Sequence, residues 1–174
     1  PSVTFTPGTA NASQSTVTVS NTSVTTDGTV TVTVQAVDQH GNTITTGGDT
    51  FAGTSSSSGT VSNFADNTNG TYTATLANTV AETVTVSVTL NTVAVTGSEN
   101  PSVTFTPGAA DPSQSTVTVG NTSVNVDETV IITVQAIDAG GNNLTSGGAT
   151  VIINPTGSGS LSNFSNTGNG TYTT

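Results

Sequence analysis

The chain has 174 residues and a formal net charge of −10, with no lysine, arginine, cysteine, methionine or tryptophan. Nucleic acids and anionic membranes recruit cationic side chains, so we expect neither as a partner, and the missing cysteines exclude a disulfide framework. No apolar run is long enough to span a membrane. The 41 threonines, together with abundant valine, favour strands over helices because both residues are β-branched.

Short segments of alternating apolar and polar residues predict a series of strands. They cover residues 15–19, 30–37, 50–54, 61–64, 71–76, 83–90 and 102–106. Turn residues separate them, as at 38–42 and 66–70, where Gly70 is expected to supply a positive φ. About seven short strands per hundred residues predict an all-β fold, an immunoglobulin-like antiparallel β-sandwich.

The sequence repeats itself at a spacing of 100 residues. Pro-Ser-Val-Thr-Phe-Thr-Pro-Gly at 1–8 returns at 101–108, and 44 of the 74 pairs between 1–74 and 101–174 are identical. A period this long corresponds to a whole domain, since solenoid coils have periods of about 20–50 residues. We therefore predict a tandem array of similar domains.

Four motifs carry a family resemblance. They are the run from Val103 to Ser115, the turn at 134–142, Asn-Gly-Thr-Tyr-Thr-Ala-Thr-Leu at 69–76, and the strand at 84–91. Together they resemble filamin-type immunoglobulin repeats, and bacterial invasin-type repeats share much of the pattern. Glu99 stands where filamin repeats usually have proline, and the chain has no cation. These departures favour a prokaryotic surface or secreted array, and the resemblance implies an extracellular, structural role.

The resemblance also sets the domain register. It implies that residues 1–8 are the last strand of a preceding repeat, that 9–108 form a complete domain, and that 109–174 form a partial domain lacking its last strands. We expect the partial domain to be completed by further residues of a longer chain. Strand donation from a neighbouring molecule is the alternative, because residues 1–8 match one missing strand but cannot supply both.

Catalytic chemistry has little support in the sequence. The single histidine, His40, lies in a predicted turn, and its counterpart in the second copy is Gly140. A lone histidine without a nucleophile or metal partner is expected to be an exposed loop residue. We predict no catalytic residues and no enzyme activity.

Carboxylates offer one weak metal hypothesis. Asp38 and its counterpart Asp138 follow the same strand, and the simplest interpretation is that each binds amides of its own turn. If domains stack end to end, Asp27 and Glu82 of one would face Asp111 and Asp138 of the next. Four carboxylates could bind Ca²⁺ at the junction, so we predict no cofactor except this possible ion.

Threonines paired at alternate positions are expected to cover the solvent face of strands. Asn-x-Ser/Thr sequences provide glycosylation candidates. The candidates are Asn21, Asn69, Asn121 and Asn169.

Two functions compete on this basis. The first is a structural repeat of an extracellular stalk, adhesin spacer or filament, with neighbouring repeats as partners and a protein or glycan receptor as a further partner. The alternative is an interaction module that binds a partner's strand by β-augmentation at the strand C/D edge, near residues 49–54. The two copies differ most there, Phe-Ala-Gly-Thr at 51–54 against Val-Ile-Ile-Asn at 151–154, which counts against a shared ligand groove.

Overall fold

A computed structural model describes all residues from 1 to 174, which divide into two compact units, Pro1–Thr106 and Pro107–Thr174. All extended regular structure is β-strand. Nothing in the chain forms a helix with the length and apolar character that crossing a membrane requires.

The first unit contains ten strands in two sheets. The strands are β1 (Thr16–Val19), β2 (Ser23–Thr25), β3 (Thr29–Gln35), β4 (Phe51–Ser55), β5 (Thr60–Val61), β6 (Ala65–Asp66), β7 (Thr71–Ala77), β8 (Thr83–Leu90), β9 (Val93–Ala94) and β10 (Ser102–Thr106). One sheet has the order β1-β3-β7-β5, with β6 also on β7; the other has the order β2-β10-β8-β4, with β9 also on β8. All these pairs are antiparallel except β2 with β10.

The core lies between the two sheets, where alternate residues of each strand meet. Val32 and Val34 of β3 and Val84 and Val86 of β8 are fully buried, and Tyr72 of β7 packs against them. The threonines between these residues face outward, as alternation along a pleated strand requires. The predicted all-β immunoglobulin-like sandwich is confirmed, with the predicted faces inward.

The structure departs from the predicted strands where segments are short. In place of the predicted strand at 61–64 the structure has two shorter strands, β5 and β6, which both pair with β7, and residues 62–64 belong to neither. The strands β2 and β9 were not predicted, because two or three residues carry too little alternation to be recognised. Gly70 has the predicted positive φ, 80°, and an added Cβ would lie 1.8 Å from the carbonyl oxygen of Ile44.

The second unit contains one sheet. Its strands, in the order β11-β12-β14-β13, are β11 (Thr116–Val119), β12 (Ile132–Gln135), β13 (Ser165–Asn166) and β14 (Thr171–Thr173). The register repeats that of the first unit, since Val117 pairs with Val134 as Val17 pairs with Val34. No second sheet of residues 107–174 covers its inner face, so Val117 is 57% exposed where Val17 is 4% exposed.

The two identical octapeptides differ in structure. Residues 101–108 include β10, which buries Phe105 to 2% exposure, whereas residues 1–8 form no regular element and leave Phe5 92% exposed. The bounds 1–8, 9–108 and 109–174 stay predictions.

Candidate functional site

The most elaborate polar site is built around Asp38, in the turn after β3. Its side chain is 2% exposed, and its two oxygens accept hydrogen bonds from three residues. The amides of His40 and Asn42 donate to Oδ1 at 2.9 Å, and the Asn42 side-chain amide donates to both oxygens at 3.2 and 3.0 Å. These bonds confirm the expectation that the aspartate binds amides of its own turn.

One further bond links Asp38 to a distant segment. The amide of Gly8, 30 residues earlier, donates to Oδ2 at 2.9 Å. The Asn42 side chain and then the Gly8 amide are the main causes that hold the pKa of Asp38 well below its usual range. Hydrogen bonds to the ionised form favour it over the protonated form, so the carboxylate stays charged although it is buried.

The same site recurs in the second unit around Asp138, which is 1% exposed. Gly108, again 30 residues earlier, donates its amide to Oδ2 at 2.8 Å, and the amides of Gly140 and Asn142 donate to Oδ1 at 2.9 and 2.8 Å. The Asn142 side chain also donates to both oxygens. In each unit, this glycine–aspartate hydrogen bond therefore attaches the segment before the first strand to the turn after β3 or its counterpart β12. The bond is called the fastener of that unit.

A buried serine forms a second fastener, which connects the segment before β1 to the residue that precedes Asp38. Ser15 Oγ donates to the carbonyl of Asn11 at 2.9 Å and accepts from the amide of Val37 at 3.1 Å. Ser115 makes the equivalent bonds to Asp111 and Ile137 at 2.8 and 3.0 Å. Sequence reasoning missed both fasteners, although one signal was available: glycine, serine, aspartate and asparagine are identical at these positions in the two copies.

Two of the four calcium candidates, Asp27 and Glu82, lie in the first unit, and Asp111 and Asp138 lie in the second. Asp27 is exposed, and Glu82 accepts from the Ser58 amide and the Asn78 side chain, both at 2.9 Å. Asp111 accepts from the amide and hydroxyl of Ser113 at 2.8 and 2.7 Å. Neither unit brings three or more acidic or histidine side chains together in an arrangement that could hold a metal. Calcium at the junction stays a prediction.

The remaining sequence candidates lie on the surface. His40 is exposed, and its Nε2 lies 3.0 Å from Gln39 Nε2. Asn21, Asn69, Asn121 and Asn169 are all exposed, so a glycan could reach each of them. The lack of catalytic residues and glycosylation at the four asparagines both stay predictions.

The predicted C/D edge corresponds to β4, which pairs with β8 and with no other strand. Thr50 accepts from the Asn91 amide and Ser56 donates to Thr85, so even-numbered residues bond to β8. In an antiparallel pair the intervening residues direct their backbone groups away from the partner. The amides and carbonyls of Phe51, Gly53 and Ser55 therefore face the open side of the strand.

Comparison with known families decides between the two resemblances. A family model described as invasin, domain 3, matches residues 11–108, which is more than half of the chain. The chain belongs to the invasin domain 3 family. It is therefore an adhesion-related immunoglobulin-like module, and of the two families that the sequence resembles, the bacterial one is confirmed. The filamin-type assignment, which came first in the sequence analysis, is not the one that the family match supports.

Solved structures of bacterial adhesins resemble this invasin-family chain. FdeC, an Escherichia coli adhesin, is 28% identical, with a TM-score of 0.67 over 98% of this chain and 57% of FdeC. Invasin, a bacterial integrin-binding protein, is 26% identical, with a TM-score of 0.65 over 97% of this chain and 35% of invasin. The Yersinia pseudotuberculosis adhesin InvE is 27% identical, with a TM-score of 0.56 over 76% of this chain and 36% of InvE.

The invasin-family chain thus spans 57% of the FdeC structure and 35% of the invasin structure. No curated protein sequence matches it.

Proposed function

We propose that the chain is a structural repeat of an extracellular stalk, adhesin spacer or filament at a bacterial cell surface. The observation that carries the proposal is the recurrence of the fastened entry segment, Gly8 on Asp38 and Gly108 on Asp138. A fastened entry segment that recurs in successive units is expected of a repeating spacer, whereas a receptor site needs only one copy. The similarity to adhesin structures supports the surface location.

Composition supports the same role. The outward faces of β3 and β8 carry hydroxyl side chains and the Gln35 amide, with no charge, and Thr83 and Thr85 bond across strands to Thr104 and Ser102 at 2.9 and 3.0 Å. Such faces are well solvated and offer no concentrated apolar anchor of the kind that dominates protein binding. We propose neighbouring repeats as its main partners, and no catalytic role.

The spacer role predicts an extended arrangement of successive domains. Strands of about 7–9 residues at about 3.3 Å per residue, with polar loops, give a rise of about 40 Å per domain. Small-angle X-ray scattering on the chain measures its longest dimension. A compact, side-by-side pair would contradict the spacer role.

A second candidate, strand capture by β4, is favoured by one specific observation. The backbone groups of Phe51, Gly53 and Ser55 lie on an open edge, without the lysine or proline that often protects sheet edges. An extended partner segment could pair with this edge by β-augmentation. The function would then be adhesion through this strand.

An adhesion assay separates the two candidates. Beads coated with the chain are expected to bind host cells no better than uncoated beads if the chain is a spacer. If β4 captures a partner, the beads bind, and Ser55→Pro abolishes binding because it removes an outward amide while leaving the bonds to β8. Ser55→Ala is the matched control, since it loses the hydroxyl bond to Gly59 but keeps the amide.

A further inference from the structure

The open edge of β4 has a different donor set in the two copies of the repeat. In the first copy the backbone groups of Phe51, Gly53 and Ser55 face the open side, because the alternate residues pair with β8. The second copy has Pro155 at the position of Ser55. Proline has no amide hydrogen and is one of the residues that protect sheet edges. The sequence therefore keeps the outward donor at this position in the first copy and removes it in the second.

The middle of β4 leaves space for a side chain that the strand itself does not supply. A Cβ added at Gly53 would lie 2.8 Å from Val61 Cγ1 and 3.0 Å from Phe64 Cε2, and both of these apolar side chains are half-buried. Residues directly opposite each other in a ladder share one face of the sheet. A partner residue opposite Gly53 would therefore face Val61 and Phe64, which favours an apolar side chain. The second copy has Ile153 at the position of Gly53.

Negative charge lies near both ends of β4. The strand carries no charged residue, and the chain contains no lysine or arginine. Asp49, which is partly exposed, lies two residues before the strand begins. Glu82 accepts a hydrogen bond at 2.9 Å from the amide of Ser58, three residues after the strand ends. The second copy has Ala149 in place of Asp49, so the open amide, the glycine and the leading carboxylate are all confined to the first copy.

If β4 captures a strand, as the second candidate function requires, these features specify the partner. We propose that the occupant is an extended protein segment with an apolar residue at its centre and lysine or arginine on both flanks, and that the first copy of the repeat captures it while the second does not. Complementary charge favours encounter with such a segment. A second copy of this chain is a poorer occupant, because each copy has a net charge of −10 and the two would repel.

The pairing we propose is antiparallel, with the central residue of the segment opposite Gly53. The partner residues opposite Phe51, Gly53 and Ser55 then form hydrogen-bonded pairs with β4, and the residues between them direct their amides away. The segment needs to match the five residues of β4, with its cationic flanks just beyond them.

A synthetic peptide, Lys-Val-Thr-Val-Thr-Val-Lys, has this pattern and serves as the probe. Fluorescence anisotropy of the labelled peptide measures its binding to the full chain. The peptide with glutamate in place of both lysines should bind about tenfold more weakly, because an attraction at each end becomes a repulsion. N-methylation of the central valine should abolish binding, since its amide faces β4. N-methylation of a threonine should leave binding nearly unchanged, since that amide faces away.

Hydrogen exchange measured by NMR locates the bound peptide on the chain. The amides of Phe51, Gly53 and Ser55 should exchange at least about tenfold more slowly when the peptide saturates the chain. The amides of Ala52 and Thr54 already face β8, so their exchange should change little.

Two substitutions convert the first copy toward the second. Ser55→Pro should weaken peptide binding by at least about tenfold, because it removes an outward donor from the ladder. Asp49→Ala should weaken it by about threefold and reduce its dependence on salt. Ser55→Ala keeps the amide and is the matched control. Thermal unfolding of each variant shows whether it is folded, and the N-methylated peptides test the same ladder on the unaltered chain.

The outcomes separate the partner from the capture itself. Equal binding of the lysine and glutamate peptides, with the same three amides protected, would overturn the cationic partner and leave strand capture by β4 in place. If no peptide protects these amides, both ideas are wrong. Unchanged binding by Ser55→Pro would overturn the restriction to the first copy. Protection of these amides in the concentrated chain alone, with a rising mass in light scattering, would make a second copy the occupant and overturn the proposal.

Discussion

The two identical octapeptides allow one substitution to be compared in two environments. Phe105 is 2% exposed within the core of the first unit, while Phe5 is 92% exposed in the same sequence context. Replacing a buried phenylalanine by alanine removes its transfer free energy and leaves a cavity, at a cost of about 3–5 kcal/mol. Replacing an exposed one changes the free energy of unfolding by less than about 0.5 kcal/mol. We expect Phe105→Ala to destabilise the first unit and Phe5→Ala to leave it unchanged.

The difference is large relative to the stability of a domain, which is about 5–15 kcal/mol. A loss of about 1 kcal/mol lowers the melting temperature of a domain of this size by about 4–8 °C, so Phe105→Ala should lower it by more than about 12 °C. Circular dichroism during heating and urea titration measures both variants against the parent chain. Equal shifts for Phe5→Ala and Phe105→Ala would refute the assignment of β10 to the core and the exposure of residues 1–8.

Three further predictions concern turns, pH and calcium. Gly70→Ala should be far more destabilising than Gly41→Ala. Both glycines have positive φ, which costs alanine about 1–2 kcal/mol, but an added Cβ meets backbone within 4 Å only at Gly70. Urea titrations of the two variants would measure the difference in their free energies of unfolding. Because the folded pKa of Asp38 lies below its ordinary value of 3.8, its contribution to stability is complete above that pH and is lost as the pH falls through the folded pKa. Asp38→Asn should flatten this acid-side slope in unfolding measured between pH 5 and pH 2; an unchanged slope would contradict it. If calcium binds at the junction, a chelator should lower the melting temperature of the chain, and no shift would remove that hypothesis.

Long alternating segments were predictable because their pattern alone decides which face is buried. The predicted strand at 83–90 coincides with β8, whose four apolar residues are all buried, and the predicted strand at 102–106 coincides with β10. Alternation over five or more residues leaves one register that buries the apolar set. The division between β5 and β6 could not be predicted, since it depends on how residues 60–66 pair with β7.

The polar fasteners could be predicted only in part. The bonds between Asp38 and its own turn follow from local aspartate chemistry, and they were expected. The bond to Gly8 spans 30 residues, and no local pattern specifies such a distance. The parallel pairing of β2 with β10 is likewise a tertiary contact between segments far apart in sequence. Comparison of the two copies was the one available source of this information. The glycine and the aspartate of the contact are identical in both copies, at 8 and 38 and at 108 and 138.

The fastening of Gly108 has a consequence for how such a protein changes length during evolution. The last strand of the first unit ends at Thr106 and Gly108 is already bound by Asp138, so Pro107 alone lies between them. In each compact unit, the glycine and the aspartate that form this bond both lie within that unit. A copy gained or lost by recombination therefore adds or removes a complete fastener. The length of the protein then changes in whole-domain steps without any compensating substitution elsewhere.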